Sequence, residues 1–386
     1  RRALSFQSPP TAKSSAPIVS GGLFAKASAS LLGAFEKTLF DSVAVHLRAD
    51  VPCCLFYSGG VDSTILMLAA KEVSPQPIAA ITVGYPGDEE ADETREALSL
   101  AAAAGTRCER IEMSGEDFWA LAPQIAAAMD DPMADPAVLP LYMLARAAHE
   151  RRFKVALSGE GSDEMFGGYS RYRRATLPSF LRRKGERRGV FSGSPVAPGK
   201  FDGWAHDMDA LECRERQRWS SRQQVLQSID MLERLPNCLL IKLDRALMAH
   251  GVEGRTPFLD REMLRFANEL PDGMKANPLF GKRILRDWLA ARFPQAKPYA
   301  RKRGFDVPLR TWLAARPELP ELVSGAPAVR ALLEPTEVKA VFDRAAQDVQ
   351  PAWSLLFYGL WHAHHMLRVD PAGDIADVLS RARRAA

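Results

Sequence analysis

The stretch CLFYSGGVDST, residues 54–64, decides how the chain is read. Apolar and aromatic residues run straight into Ser-Gly-Gly, and Val-Asp-Ser follows. A short apolar run closed by glycines predicts a buried strand, and DSTILMLAAKEV beyond it has helical spacing. Gly59 and Gly60 allow a tight turn and a close approach of backbone to ligand. The first amides of the following helix carry partial positive charge, which suits phosphate. Ser58, Ser63 and Thr64 add hydroxyls. Asp62 is a poor neighbour for phosphate unless a cation stands between them, and Mg2+ takes both carboxylate and phosphate oxygens. A plain strand–turn–helix with a capping aspartate is the simpler alternative. The loop is neither a P-loop ending in Gly-Lys-Ser/Thr nor a GxGxxG fingerprint.

Working outward, the same alternation continues. IAAITV (78–83), CERIEM (108–113) and KVALS (154–158) read as strands. LLGAFEKTLFDSVAVHL (31–47), EEADETREALSLAAAAG (89–105, closed by Gly105) and segments near 116–129 and 139–151 read as helices. Such alternation predicts an α/β fold with a parallel sheet, helices on both faces and ligands beyond the carboxyl ends of the strands. After the Gly/Ser/Pro-rich break GVFSGSPVAPGKFDG (189–203), helical patterns follow and no strand is expected. The expected organisation is a linker or arm over 1–20, a nucleotide-binding α/β region over 21–190 and a mainly helical extension over 191–386.

Composition narrows the class. The chain has 386 residues, 47% of them hydrophobic and 25% charged, as in a globular protein with a sizeable core. A net charge of +4 is far from that of a dedicated nucleic-acid binder. No apolar run reaches the length of a membrane span, and the Arg/Ser/Pro-rich start has no apolar signal core. The chain opens with Arg1 rather than Met, which suggests a trimmed product. Five cysteines, at 53, 54, 108, 213 and 238, show neither zinc spacing nor a disulfide framework, so a reducing cytoplasm is expected. Cys53 and Cys54 read as small hydrophobes in a strand.

A second loop repeats the theme. KVALSGEGSDEMFGGYSRY (154–172) ends a strand in Ser158-Gly159 and supplies the acids Glu160 and Asp163. If the two strands are neighbours, Asp62 and Asp163 face each other across the strand ends. Two acids and a triphosphate make a metal site.

The SGGxDS pattern resembles the pyrophosphate-binding loop of ATP pyrophosphatases, which cleave ATP between the α and β phosphates. LSGEGSDEMFGGYSRY (157–172) closely resembles the synthetase domain of glutamine-hydrolysing asparagine synthetases. DRALMAHGVEGRTPFLD (244–260), GKRILRD (281–287) and RKRGFDVPLRTWL (301–313) resemble later blocks of that family, in the same order. The resemblance covers about residues 35–365. It implies an adenine-nucleotide hydrolase sheet with a helical extension, and activation of a carboxylate as an acyl-adenylate from which ammonia displaces AMP. It further implies that Ser58, Gly59, Gly60, Asp62 and Ser63 hold the pyrophosphate end of ATP, and that Asp62 and Asp163 ligate Mg2+. Tyr57, Val83, Ser158 and Gly159 fall at nucleotide-contact positions, Val83 on the adenine side. Lys302 falls at the lysine that reaches the phosphates, and Glu160 is the candidate base for the incoming amine.

The implied partners are a small-molecule carboxylate, aspartate first, and ammonia. The family's glutaminase domain begins with a nucleophilic cysteine, whereas no cysteine precedes Cys53 here. A glutaminase domain or subunit missing from this chain is therefore expected, and ammonium rather than glutamine as its nitrogen source. Cys108 stands where the family commonly has His, and Gly251 where it commonly has Ser. β-Lactam synthetases carry Tyr at the Glu160 position, so Glu160 favours an external amine. Ring closure as in β-lactam synthetases, peptide cyclisation as in lasso-peptide cyclases, and tRNA modification are the alternatives. The basic RYRRATLPSFLRRKGERR (171–188) reads as a solvated connector in preference to a tRNA grip, and WHAHH (361–365) as packed or exposed histidines in preference to a metal site.

Overall fold

The computed structural model describes residues 26–87, 94–133, 135–178, 180, 189–191, 196, 203–300 and 307–385. The four expected strands form at β1 (Cys53–Phe56), β2 (Ala79–Gly84), β3 (Cys108–Glu112) and β4 (Val155–Leu157). They alternate with α1 (Ala29–His46), α2 (Val61–Val73), α3 (Thr94–Ala103), α4 (Gly115–Ala128) and α5 (Val138–Glu150). Local chemistry sets some of these boundaries. Ser114 and Asp117 form a reciprocal capping box that starts α4, and Gly105 turns the chain after α3 with φ +69°.

Side chains of β1 alternate between the faces of the sheet, and each face is covered. Cys54 and Phe56 join Ile81, Val83 and Ala156 in a core built with α4, α5 and helices late in the chain. Leu55 and Tyr57 join Ala80 and Leu157 in a second core built largely with α1 and α2. Two covered faces explain why these strands are near-continuous apolar runs.

The sheet has five strands in the order β3-β2-β1-β4-β5, and all four pairings are parallel. Leu55 lies opposite Ala80 on one side and Leu157 on the other, so β1 and β4 are direct neighbours. The fifth strand corrects an expectation. β5 (Glu253–Arg255) comes from the second half of the chain, where no strand was expected. It is a three-residue, charged edge strand, so it has no apolar run to announce it. Its carbonyl at Arg255 accepts from the Ser158 amide at 2.8 Å, which fixes the start of the loop after β4.

The rest of the second half is helical among the described residues, as expected. After the short helices α6 (Ser162–Phe166) and α7 (Ser170–Ala175) that follow β4, it includes α8 (Gly203–Arg218), α9 (Arg222–Ile229), an eleven-residue π-helix (Asp230–Leu240), α10 (Ile241–Met248), α11 (Arg261–Glu269), α12 (Asp272–Lys275) and α13 (Arg283–Arg292). Later helices, among them Gln350–His365, bury Trp353 and Phe357, with Trp353 against Phe118 of α4.

Candidate active site

The loop after β1 is organised by its own hydroxyls. Ser63 Oγ accepts from the Ser58 amide at 3.2 Å and lies 3.2 Å from Ser58 Oγ, which in turn accepts from the Gly60 amide at 3.3 Å. Gly59 has φ +70°, a conformation that side chains other than glycine's rarely adopt, and a Cβ there would lie 3.0 Å from Ala97. Gly60 is the N-cap of α2, which puts Asp62 in the first turn, where the helix dipole favours negative charge.

The loop after β4 meets the first loop directly. Ser162 Oγ donates to Asp62 Oδ1 at 2.7 Å, and a Cβ on Gly159 would lie 3.0 Å from the Asp62 Cβ. Asp62 and Asp163 converge as their strand positions predict, and a cation already stands between them. Lys282 Nζ is 2.6 Å from Asp62 Oδ2 and 2.8 Å from Asp163 Oδ1. Lys282 sits just before α13 with φ +54°, and its amide donates to the Phe166 carbonyl at 3.1 Å. A non-glycine residue held in that region marks a place where the surroundings dictate the backbone. Burial works against the Lys282 charge, but Asp163 and Asp62 together hold its pKa above the ordinary lysine value.

This geometry tests the metal assignment. Two carboxylates focused on one positive charge, with no third His, Cys, Asp or Glu grouped around them among the described residues, form an incomplete cage. Mg2+ commonly takes one or two carboxylates and completes its shell with phosphate oxygens and water, so the donor set fits Mg2+ carried in with a nucleotide.

Glu160 lies beside this pair and faces another lysine. Lys242, at the start of α10, places Nζ 3.9 Å from Glu160 Oε1 and donates to Asp135 Oδ2 at 2.7 Å. Burial raises the Glu160 carboxyl above its usual range, Lys242 offsets part of the rise, and Asp135, Asp163 and Asp62 add to it. A second recessed acid, Glu164, is pushed up to about 7, mainly by burial, although Tyr169 donates to it at 2.6 Å.

Other expected residues fall into place less directly. Val83 is buried near the carboxyl end of β2, next to β1. The Tyr57 side chain is packed in the core with its hydroxyl 3.3 Å from Thr64 Oγ1, and burial pushes its pKa up to about 12, so the ring does not line the cleft. Lys302 lies outside the described residues. Sequence reasoning missed Lys282, Lys242 and Asp135. The available signals were a lysine in the GKRILRD block and a lysine sharing a buried helix face with Ala246.

The discounted features stay away from this chemistry where they are described. Arg171 bonds Asp230 through Nε at 2.8 Å, and residues 181–188 of the basic stretch lie outside the described residues. Trp361 stacks on His365, and His364 Nδ1 lies 3.1 Å from the Val369 carbonyl. Burial pushes the Cys54 thiol up to about 12, in keeping with a structural role. Among the described residues no helix is long and apolar enough to cross a membrane.

Comparison with known proteins places the geometry in context. The chain is 35% identical over 372 residues to a Mycobacterium tuberculosis protein provisionally named a glutamine-hydrolysing asparagine synthetase, covering 84% of this chain and 56% of that protein. It is 29% identical over 383 residues to Bacillus subtilis glutamine-hydrolysing asparagine synthetase 1, covering 85% and 58%. It is 24% identical over 363 residues to the Penicillium rubens amidase chyE, covering 76% and 53%. The chain thus spans a little over half the length of these relatives. Residues 34–368 match the asparagine synthase family, and the chain belongs to that family.

Proposed function

We propose that the chain performs ATP-dependent amide synthesis through an acyl-adenylate, with aspartate and ammonia as the first substrates to test and asparagine, AMP and pyrophosphate as products. The observation that carries the reading is the focusing of Asp62 and Asp163 on one cation at the ends of adjacent parallel strands, with Glu160 alongside.

In this reading Asp62 and Asp163 hold Mg2+, which supplies charge neutralisation for the triphosphate. Ser58, Gly59, Gly60 and Ser63 cradle the pyrophosphate end with backbone amides and hydroxyls. Val83, Ser158 and Gly159, with the backbone of Tyr57, border the nucleotide. A carboxylate oxygen of the acceptor attacks the α-phosphorus, the bond to the β-phosphate oxygen breaks, and pyrophosphate leaves. Lys302 and Lys282 offset the negative charge that develops on the leaving group. Glu160 then takes a proton from the ammonium ion. The nitrogen attacks the acyl carbon, a C–N bond forms, and AMP leaves with the bridging oxygen. A glutaminase domain or subunit outside this chain would supply ammonia, and the site of action would be cytoplasmic.

The test is isotopic exchange of pyrophosphate into ATP in the presence of Mg2+ and aspartate, repeated with a panel of carboxylates. Asp62→Asn and Asp163→Asn should each abolish it. Full exchange in both variants would end the metal assignment. Amide formation from ammonium with the same panel then names the acceptor.

A further inference from the structure

Asp135, Glu160 and Lys242 come from three distant segments: the approach to α5, the loop after β4 and the first turn of α10. The Lys242 side chain is only 5% exposed and the Asp135 side chain 21%, whereas a quarter of Glu160 (26%) stays open to the cleft. Asp135 is itself anchored, since Oδ1 accepts from the Ala137 amide at 3.0 Å while Oδ2 takes the Lys242 ammonium at 2.7 Å. The lysine therefore has a fixed partner, and that partner is not Glu160.

The separation from Glu160 is informative. At 3.9 Å the ammonium attracts the carboxylate without a direct hydrogen bond. A direct ion pair would occupy the oxygen and make it a weak base. Without Lys242, the carboxyl would face the carboxyl groups of Asp135, Asp163 and Asp62 in a recessed site where the other ammonium, that of Lys282, is already bonded to Asp62 and Asp163. Lys242 also faces Cys238 on the π-helix, and Asp135 feels Arg234 from the same element. π-Helical turns are rare and recur at functional sites, and this one leads straight into Lys242.

We propose that Lys242, held by Asp135, is the positioning residue that keeps Glu160 ionised and aimed at the incoming amine while leaving its oxygens free to accept a proton. The inference rests on the reading of Glu160 as the base. It assigns the Asp135–Lys242 pair to the amine step and not to adenylation.

The experiment compares both half-reactions in the full chain, using Mg2+-ATP, aspartate or whichever carboxylate supports exchange, and ammonium chloride. Lys242→Met should lower kcat for amide formation about 10- to 100-fold and leave pyrophosphate exchange within about twofold. Its acidic limb should move to higher pH by about one unit, since a favourable opposite charge is removed. Lys242→Arg should recover most of the loss, and Asp135→Asn, which frees the lysine but also removes a negative charge that raises the Glu160 carboxyl, should lower amide formation selectively and by less, without moving the limb to higher pH. Equal loss in both half-reactions with an unmoved limb would overturn the proposal and make the pair structural. If Lys242→Met does not fold, the Arg and Asn variants decide by whether the loss is selective. Glu160→Gln separates the two levels: amide formation unaffected by that change rejects the base itself. A selective loss there, without one in the Lys242 and Asp135 variants, rejects only the positioning role.

Discussion

Two buried lysines from the second half of the chain meet the acids at the carboxyl end of the sheet, and they meet them differently. Lys282 hydrogen-bonds two carboxylates at once, at 2.6 and 2.8 Å. Lys242 is tied to Asp135 at 2.7 Å and stands off from Glu160 at 3.9 Å. The symmetric contact marks a place where positive charge is required, because two carboxylates in a recessed site repel each other without it. The offset contact leaves one acid under the influence of a cation but still able to take a proton. In the proposed mechanism the same pairing of residue types would serve charge neutralisation on one side of the cleft and acid–base chemistry on the other.

The comparison breaks most severely at Glu160. Glu160→Gln keeps shape but removes the basic oxygen, so amide formation should fall by roughly 10²–10⁴-fold while pyrophosphate exchange survives. Burial raises the wild-type carboxyl, so amide formation should fall off with acid at a pH above the ordinary glutamate range, and that limb should vanish in the variant. Equal loss of both activities would move Glu160 into substrate binding.

A smaller effect is expected on the other side. Lys282→Met leaves Asp62 and Asp163 facing each other without a cation, which should cost about 3–5 kcal/mol of stability in the absence of nucleotide. Mg2+-ATP should restore more stability to the variant than it adds to wild type, as seen in denaturant titrations. The folded-state pKa of Lys282 is raised, so its contribution is complete below the unfolded value of about 10.4 and is lost as pH rises through the folded one. The wild-type advantage should therefore stay flat between about pH 6 and 9 and narrow only in stronger alkali. Equal stability of the two proteins without nucleotide would deny the ammonium its neutralising role.

The smallest change sharpens the comparison by disturbing one loop alone. Gly59→Ala forces a side chain into φ +70° and against Ala97, which should lower stability by about 1–2 kcal/mol. It should weaken exchange without moving the acidic limb of amide formation, since Glu160 lies on the loop after β4 and Lys242 on α10. A shifted limb would show that the two sides of the cleft are coupled.

Much of this was legible in the sequence, and the reasons differ by residue. β1, β2 and β4 were readable because apolar runs stop abruptly at Ser, Gly or polar residues, whereas the charged edge strand β3 was readable from its place between two helical segments. Asp62 and Asp163 were readable as a pair because both follow a Ser-Gly turn after a strand. β5 was not, since Glu-Gly-Arg has no apolar pattern and exists as a strand only because β4 offers it an edge. Lys282 and Lys242 were passed over for another reason. Their meaning depends on contacts 220 and 107 residues away in the chain, which no local spacing encodes. In the sequence each is one lysine among many, and only burial beside acids singles them out.

The acyl-adenylate is the central claim, and the fate of one oxygen atom tests it most directly. The acceptor would be supplied with oxygen-18 in the reacting carboxylate, with Mg2+-ATP and ammonium, and the products analysed by mass spectrometry. The account predicts one labelled oxygen in AMP and none in pyrophosphate, because the bridging oxygen leaves with the adenylate when the C–N bond forms. Amide formation with unlabelled AMP, or with label in a phosphate product, would contradict it.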